Sequence, residues 1–179
     1  PITLGRLSAL SLLGALVIHI TGIVQLTKRN RAARPANFPA KRIGRSVESI
    51  AMLGTGTLLL AFIIFHILQF TTLSIDVTPV EEGAVYANLY YAFQKWYFVA
   101  IYLGALILVG MHLRHGVWSL FQTLGFDSPN RNAMLRHGAT ALVVILVIGF
   151  GSVPVLFFTD VLAPPNTEAV VTALSGVSA

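Results

Sequence analysis

Apolar positions along this chain do not alternate with polar ones at periods of 2 or 3.6 residues. They gather into four long runs, at about 7–27, 47–70, 92–118 and 138–161. Each run holds about 20 residues or more. At ~1.5 Å per residue that is enough to cross a hydrocarbon core of ~30 Å. Lipid offers no partner to loose backbone groups, so each run is predicted to be a helix. The expected fold class is therefore all-α, an integral membrane bundle of four transmembrane helices. Residues 1–162 form that bundle, and a tail over 163–179, opening with Ala163, Pro164 and Pro165, is expected to pack poorly.

Composition agrees. Of the 179 residues, 55% are hydrophobic and only 11% charged, about half the charge of an ordinary soluble domain. There is no cysteine, which excludes disulfides, cysteine-bound iron–sulfur clusters and covalent c-type haem attachment within the chain. The chain opens on Pro1 and its first apolar run follows at once, so a further segment is expected upstream.

The net charge of +5 is distributed as membrane topology, not as a nucleic-acid footprint. The first loop carries Lys28, Arg29, Arg31, Arg34, Lys41, Arg42 and Arg45. Arg114, Arg131 and Arg136 flank the third loop. The second loop holds Asp76, Glu81 and Glu82 with no Lys or Arg, and Asp160 and Glu168 lie at or beyond the end of the fourth run. Only Arg6 and Lys95 depart from this division. The positive-inside rule then puts the basic loops in the cytoplasm and the C-terminus outside. The basic loop either sets topology alone or also supports a cytoplasmic partner or haem propionates.

Three of the five histidines fall well inside runs: His19, His66 and His112. An ionisable group there costs about 2.5–3.5 kcal/mol on insertion scales, so each needs a reason. One such histidine is most simply a neutral imidazole bonded between helices. Three of them, with no mid-membrane carboxylate to form a proton relay, point instead to haem b, whose iron takes neutral imidazole as axial ligand in a dry site. From the basic side His19 lies roughly 14 Å deep, His112 roughly 10 Å and His66 roughly 27 Å. These depths are compatible with one haem between His19 and His112, and His66 is too far from both to share it and would belong to a second haem. At 100° per residue, Ser8, Leu12, Ala15, His19 and Leu26 share a face. So do Glu48, Met52, Thr55, Leu59, Phe62 and His66, and so do Phe98, Ile101, Ala105, Leu108, His112 and Ser119. Gly22 and Gly116 flank two of these stripes, as room for a flat macrocycle or as ordinary small-residue packing. Axial ligands approach iron from opposite sides, so His115 cannot share a haem with His112. It reads, with Arg114 and Arg29 or Arg31, as a propionate or interface group, or as a side chain snorkelling to water. His137 is expected at the start of the fourth helix, at the interface.

Three segments carry a resemblance. The third span contains MHLRHGVWSLFQTLG over 111–125, the first loop contains QLTKRNRAARP over 25–35, and the second span ends FIIFHILQF over 62–70. These resemble the single-chain, di-haem cytochrome b anchor of the succinate dehydrogenase and fumarate reductase family, over essentially the whole chain. That family has five helices, with histidine ligands on the first four. The resemblance implies His19, His66 and His112 as axial ligands, with His19 and His112 on one haem. It implies that the partner of His66 lies on a first helix not present here. It also implies a flavoprotein subunit and an iron–sulfur subunit on the cytoplasmic side, ubiquinone or menaquinone as electron partner, the bacterial cytoplasmic membrane, and a complex that can form homo-oligomers. The chain itself would do no carbon chemistry. Gly110 stands where some fumarate reductases of the family carry a glutamate, so a proton route through that residue is not expected.

Candidate quinone contacts are Gln69, Gln94 and Lys95 at the outer end and Arg45, Ser49, Ser119 and Gln122 at the inner end, each also explicable as an ordinary interfacial residue. Two other functions compete with this reading. One is a cytochrome b anchor of a hydrogenase or formate dehydrogenase type. The other is a haem-free scaffold whose histidines only tie helices together.

Overall fold

The computed structural model describes residues 4–33, 47–75, 82–126, 128–162 and 164. Arg34, Lys41, Arg42, Arg45, Asp76, Glu81 and Glu168, the side chains of Arg6, Glu48 and Ser49, and the tail apart from Pro164 lie outside the described residues. The described elements are five helices: α1 Leu4–Ala32, α2 Val47–Phe70, α3 Val85–Phe93, α4 Trp96–Thr123 and α5 Pro129–Phe158. Within them, Leu7–Ala32, Ala51–Phe70, Trp96–Thr123 and Pro129–Phe158 are long and apolar enough to cross a membrane. Among the described residues the protein is all-α, with four helices able to span a membrane. Contacts divide it into two units, Pro1–Gly44 and Arg45–Ala179.

The first unit contains α1. Its hydroxyls are satisfied within the helix: Ser8 donates to the Gly5 carbonyl at 2.9 Å, Ser11 to Leu7 at 2.9 Å and Thr21 to Val17 at 2.7 Å. A hydroxyl bonded this way can face lipid without an orphan donor. The helix runs past the expected end at residue 27 and carries Arg29 and Arg31 in its last turn, where cations meet the negative end of the helix dipole.

The second unit is organised around α4, which packs against both α2 and α5, while α3 packs on α5 and α4. Its core gathers at the acidic-loop end: Ala92, Phe93, Phe98, Val99 and Phe157 are buried, with Phe65, Phe70, Tyr90 and Tyr102 packed around them. Phe93 is the anchor, with ring centroids 5.0 Å from Tyr102, 6.2 Å from Phe70 and 6.3 Å from Phe157.

The spans differ from the sequence expectation at their ends, for local reasons. The run expected over 92–118 is divided by Lys95, which is extended at φ −98°, ψ 113° and separates the short α3 from α4. At its other end α4 continues past Trp118 to Thr123. There Gly125, at φ 78°, lets its N–H reach the Gln122 carbonyl at 3.1 Å and the Phe126 N–H reach Phe121 at 3.0 Å. That is a Schellman stop, and glycine adopts its left-handed residue at little cost. The fourth span starts at Pro129, whose missing N–H is harmless in a first turn, after an extended Ser128. His137 therefore lies more than two turns inside α5, not at its start. Pro154 is buried within α5, which continues to Phe158.

Candidate functional site

His112 sits on the side of α4 that meets α2. Its Nδ1 lies 3.2 Å from the Thr55 hydroxyl, and Thr55 is only 7% exposed. That hydroxyl also lies 3.1 Å from the Ala51 carbonyl and 3.2 Å from the Met52 carbonyl. With its single proton given to the backbone, Thr55 is set to accept from His112 in the tautomer that carries its proton on Nδ1. The two helices approach closely here because residue 56 is glycine: a Cβ on Gly56 would lie 3.2 Å from His112 Cε1.

His66 repeats the pattern near the other end of α2. Its Nδ1 lies 3.0 Å from the Tyr102 hydroxyl, which donates to Gln69 Oε1 at 2.9 Å. With the phenol proton used on Gln69, Tyr102 is set to accept from His66 in the tautomer that carries its proton on Nδ1. Phe62, Phe70 and Tyr102 lie against one side of the exposed His66 imidazole, at ring centroids of 6.1, 5.7 and 5.9 Å. Thr55, Phe62 and His66, expected on one face of α2, do share the face toward α4.

The two bridges fix the antiparallel register of α2 and α4 and put the histidines on different levels. Thr55 pairs with His112 and His66 with Tyr102. The spacing along the two helices is then about 15–17 Å at a ~1.5 Å rise. His66 and His112 therefore cannot serve one iron. His19 lies on α1, in the first unit, with Arg29 and Arg31 in that helix's last turn.

Arg114 turns away from the His112 side. Its Nε donates to Thr140 Oγ1 of α5 at 3.2 Å. His115, one turn from His112 on α4, and Gly116 follow it, and a Cβ on Gly116 would meet no atom within 4 Å. Gly110 is a buried contact with α5, where a Cβ would lie 3.1 Å from Val143 Cγ1 and 3.2 Å from Val147 Cγ2. Any side chain there requires those two valines to give by a few tenths of an ångström.

Two of the outer quinone candidates are built into the protein. Gln69 is 4% exposed and bonded to Tyr102. Gln94 Nε2 donates to the Phe157 carbonyl at 2.7 Å and to Asp160 Oδ1 at 3.1 Å. Tyr90 adds a hydrogen bond to Asp160 Oδ1 at 2.8 Å. Donation to that carboxylate, with desolvation and the charge of Asp160, holds the Tyr90 pKa above its ordinary 10.0. These contacts tie α3 to the end of α5. Lys95 stands at the α3–α4 break, and Ser119 and Gln122 lie in the last turns of α4.

Sequence patterns give no signal for Tyr102 or Gly56, because a helical period reports which residues share a face and not which residue of another helix they oppose. Among the described residues no three His, Asp or Glu side chains group together as a metal-binding cluster. Comparison with protein-family models, with characterised proteins and with solved structures returns no match to this chain.

Proposed function

We propose that this chain binds haem b through histidines of its spans and serves as the membrane anchor of a succinate dehydrogenase or fumarate reductase. In that role it passes electrons between an iron–sulfur subunit and a membrane quinone. The observation that carries the proposal is the paired treatment of His66 and His112. Each has Nδ1 within hydrogen-bond distance of a hydroxyl whose own proton has another acceptor, an arrangement that favours Nε2 as the nitrogen offered to iron. Holding the distal nitrogen in this way fixes ring orientation and raises the basicity of the ligating one. The HLRHG…FQTLG string and the three intramembrane histidines support the same reading.

The sequence resemblance would pair His112 with His19 on one haem, and His66 on a second with a histidine from an upstream segment or another chain. The haem supplies one-electron transfer, while the protein supplies ligation, placement and a dry surround. Arg29, Arg31 and His115 remain candidates for propionates or a subunit interface. Arg114, bonded toward α5, is the weaker candidate for a haem held by His112. The flavoprotein and iron–sulfur subunits would sit on the side of the basic loops, assigned to the cytoplasm of a bacterial cell.

The same bridges favour a second reading. Each also ties α2 to α4, as neutral imidazoles do in a haem-free scaffold. A dithionite-reduced minus oxidised spectrum of the purified complex, with pyridine haemochrome quantified per chain, separates the two. Two haems b per chain support the full assignment. One haem leaves His19 with His112 and makes His66 structural. The absence of haem from intact complex refutes the electron-transfer role and leaves the scaffold.

A further inference from the structure

The basic groups of the α4–α5 hairpin form a built arrangement that the haem reading does not use. Arg114 and Trp118 are one turn apart on α4, and Arg136 and Thr140 are one turn apart on α5. Arg114 Nε donates to Thr140 Oγ1 at 3.2 Å, the Thr140 hydroxyl donates to the Arg136 carbonyl at 2.9 Å, and the Arg136 guanidinium lies 4.5 Å from the centroid of the Trp118 ring. These four residues mark a patch on one side of the helix seam. Arg131 lies toward the α5 start, its Nε donating to Ser128 at 3.1 Å. Over 111–140 the sequence has three arginines against one carboxylate, Asp127.

We propose that this seam binds the headgroup of an anionic phospholipid, with Arg136 as its main cation. Depth supports lipid over a soluble anion. With α4 centred in the bilayer, Trp118 lies about 13 Å from the midplane, near the ~15 Å edge of the hydrocarbon. An indole belongs at that boundary, and an arginine there reaches the phosphate layer. With its Cζ over the Trp118 ring, Arg136 is held at this seam by a cation–π contact while its N–H donors suit a phosphodiester. Apolar side chains for the acyl chains lie deeper on the same helix faces: Val144, one turn beyond Thr140, is 48% exposed, and Ile107, two turns beyond Arg114, is 59% exposed. Basic seams between spans at this depth select anionic headgroups.

The two tryptophans, Trp96 and Trp118, stand toward opposite ends of α4, so the site can be read optically. The full chain carrying Trp96→Phe is reconstituted in phosphatidylcholine vesicles, and Trp118 fluorescence is titrated with brominated phosphatidylglycerol or brominated phosphatidylcholine. One interfacial arginine predicts a preference of about fivefold for phosphatidylglycerol. Adding Arg136→Gln should reduce it to near one, while Arg136→Lys should retain part. Equal quenching by the two lipids in the Trp96→Phe chain overturns the proposal without reference to any Arg136 variant. An unchanged preference after Arg136→Gln also overturns it. So does displacement of the lipid by inorganic phosphate at constant ionic strength, which would make the site one for a free anion.

Discussion

Replacing Thr55 by Val removes one hydroxyl at nearly constant volume and tests what the His112 bridge does. Thr55 is 7% exposed and its oxygen is 3.2 Å from His112 Nδ1, so the variant leaves a partly buried imidazole N–H without this acceptor. As a helix tie alone, the bridge is worth ~0.6 kcal/mol on average for membrane proteins, and at most about 2. As the outer partner of an iron ligand, its loss costs about 10–100-fold in affinity, or ~1.4–2.8 kcal/mol. The assay is haem b per chain at limiting haem, by pyridine haemochrome, beside thermal unfolding of the same samples in detergent. We expect Thr55→Val to lose haem at the inner level by at least about tenfold in affinity with a small fall in unfolding midpoint, and Thr55→Ser to restore both. A Thr55→Val protein that unfolds earlier yet holds haem as the parent does would refute the orienting role. One unchanged in both properties would refute the bridge itself.

The geometry dictates three further outcomes. Tyr102→Phe should destabilise the acidic-loop end by about 1–3 kcal/mol, because Gln69 Oε1 loses its donor while 4% exposed; urea or thermal unfolding reads this, and no change would remove Tyr102 from the bridge. Gly110→Ala should gain less than the ~1 kcal/mol that the exchange gives in an open helix, since its Cβ would lie 3.1 Å and 3.2 Å from two valine methyls of α5, and the full gain in thermal unfolding would show that those valines yield freely. The tie between Tyr90 and Asp160 should weaken in alkali. The folded-state pKa of Tyr90 is raised, so its contribution is complete below the ordinary 10.0 and is lost as pH rises through the higher folded value. Protection of α3 amides, taken relative to the base-catalysed intrinsic exchange rate, should therefore fall above about pH 10, and Tyr90→Phe should show lower protection at neutral pH without that alkaline fall.

The four spans were legible because lipid imposes a length and a polarity that survive any detail of packing. Their ends were not, because hydropathy and backbone geometry are set by different residues. Hydropathy stops the third run at Trp118, yet α4 stops where Gly125 takes a positive φ and closes its last carbonyls. The fourth run loses its apolar character before Gly138, where Asn130, Arg131, Asn132, Arg136 and His137 crowd the sequence. None of these breaks a helix, so α5 reaches back to Pro129, a residue suited to a first turn. Lys95 does the opposite: one extended residue divides a run whose hydropathy is nearly continuous.

At the candidate site the difference between α2 and α4 shows what a helical stripe can report. On α2, Thr55 and His66 are eleven positions apart, about 20° from exact alignment, and both bond across to α4. That helix packs chiefly against one neighbour, so its polar residues converge on one face. Helix α4 is clasped between α2 and α5, and its contacts spread around the axis. The stripe drawn through His112 therefore includes Ile101, which is 44% exposed. It omits Tyr102, which lies about 80° around the helix from His112 at 100° per residue. Tyr102 still reaches His66 because a phenol carries its hydroxyl well beyond the backbone, past the aromatic rings of Phe62 and Phe70. A histidine inside a span thus announces that a partner exists, while the partner's identity depends on side-chain reach and on the register of the opposing helix. In this protein that register is held by the two bridges themselves, which is why a change at Thr55 or Tyr102 tests the placement of both imidazoles at once.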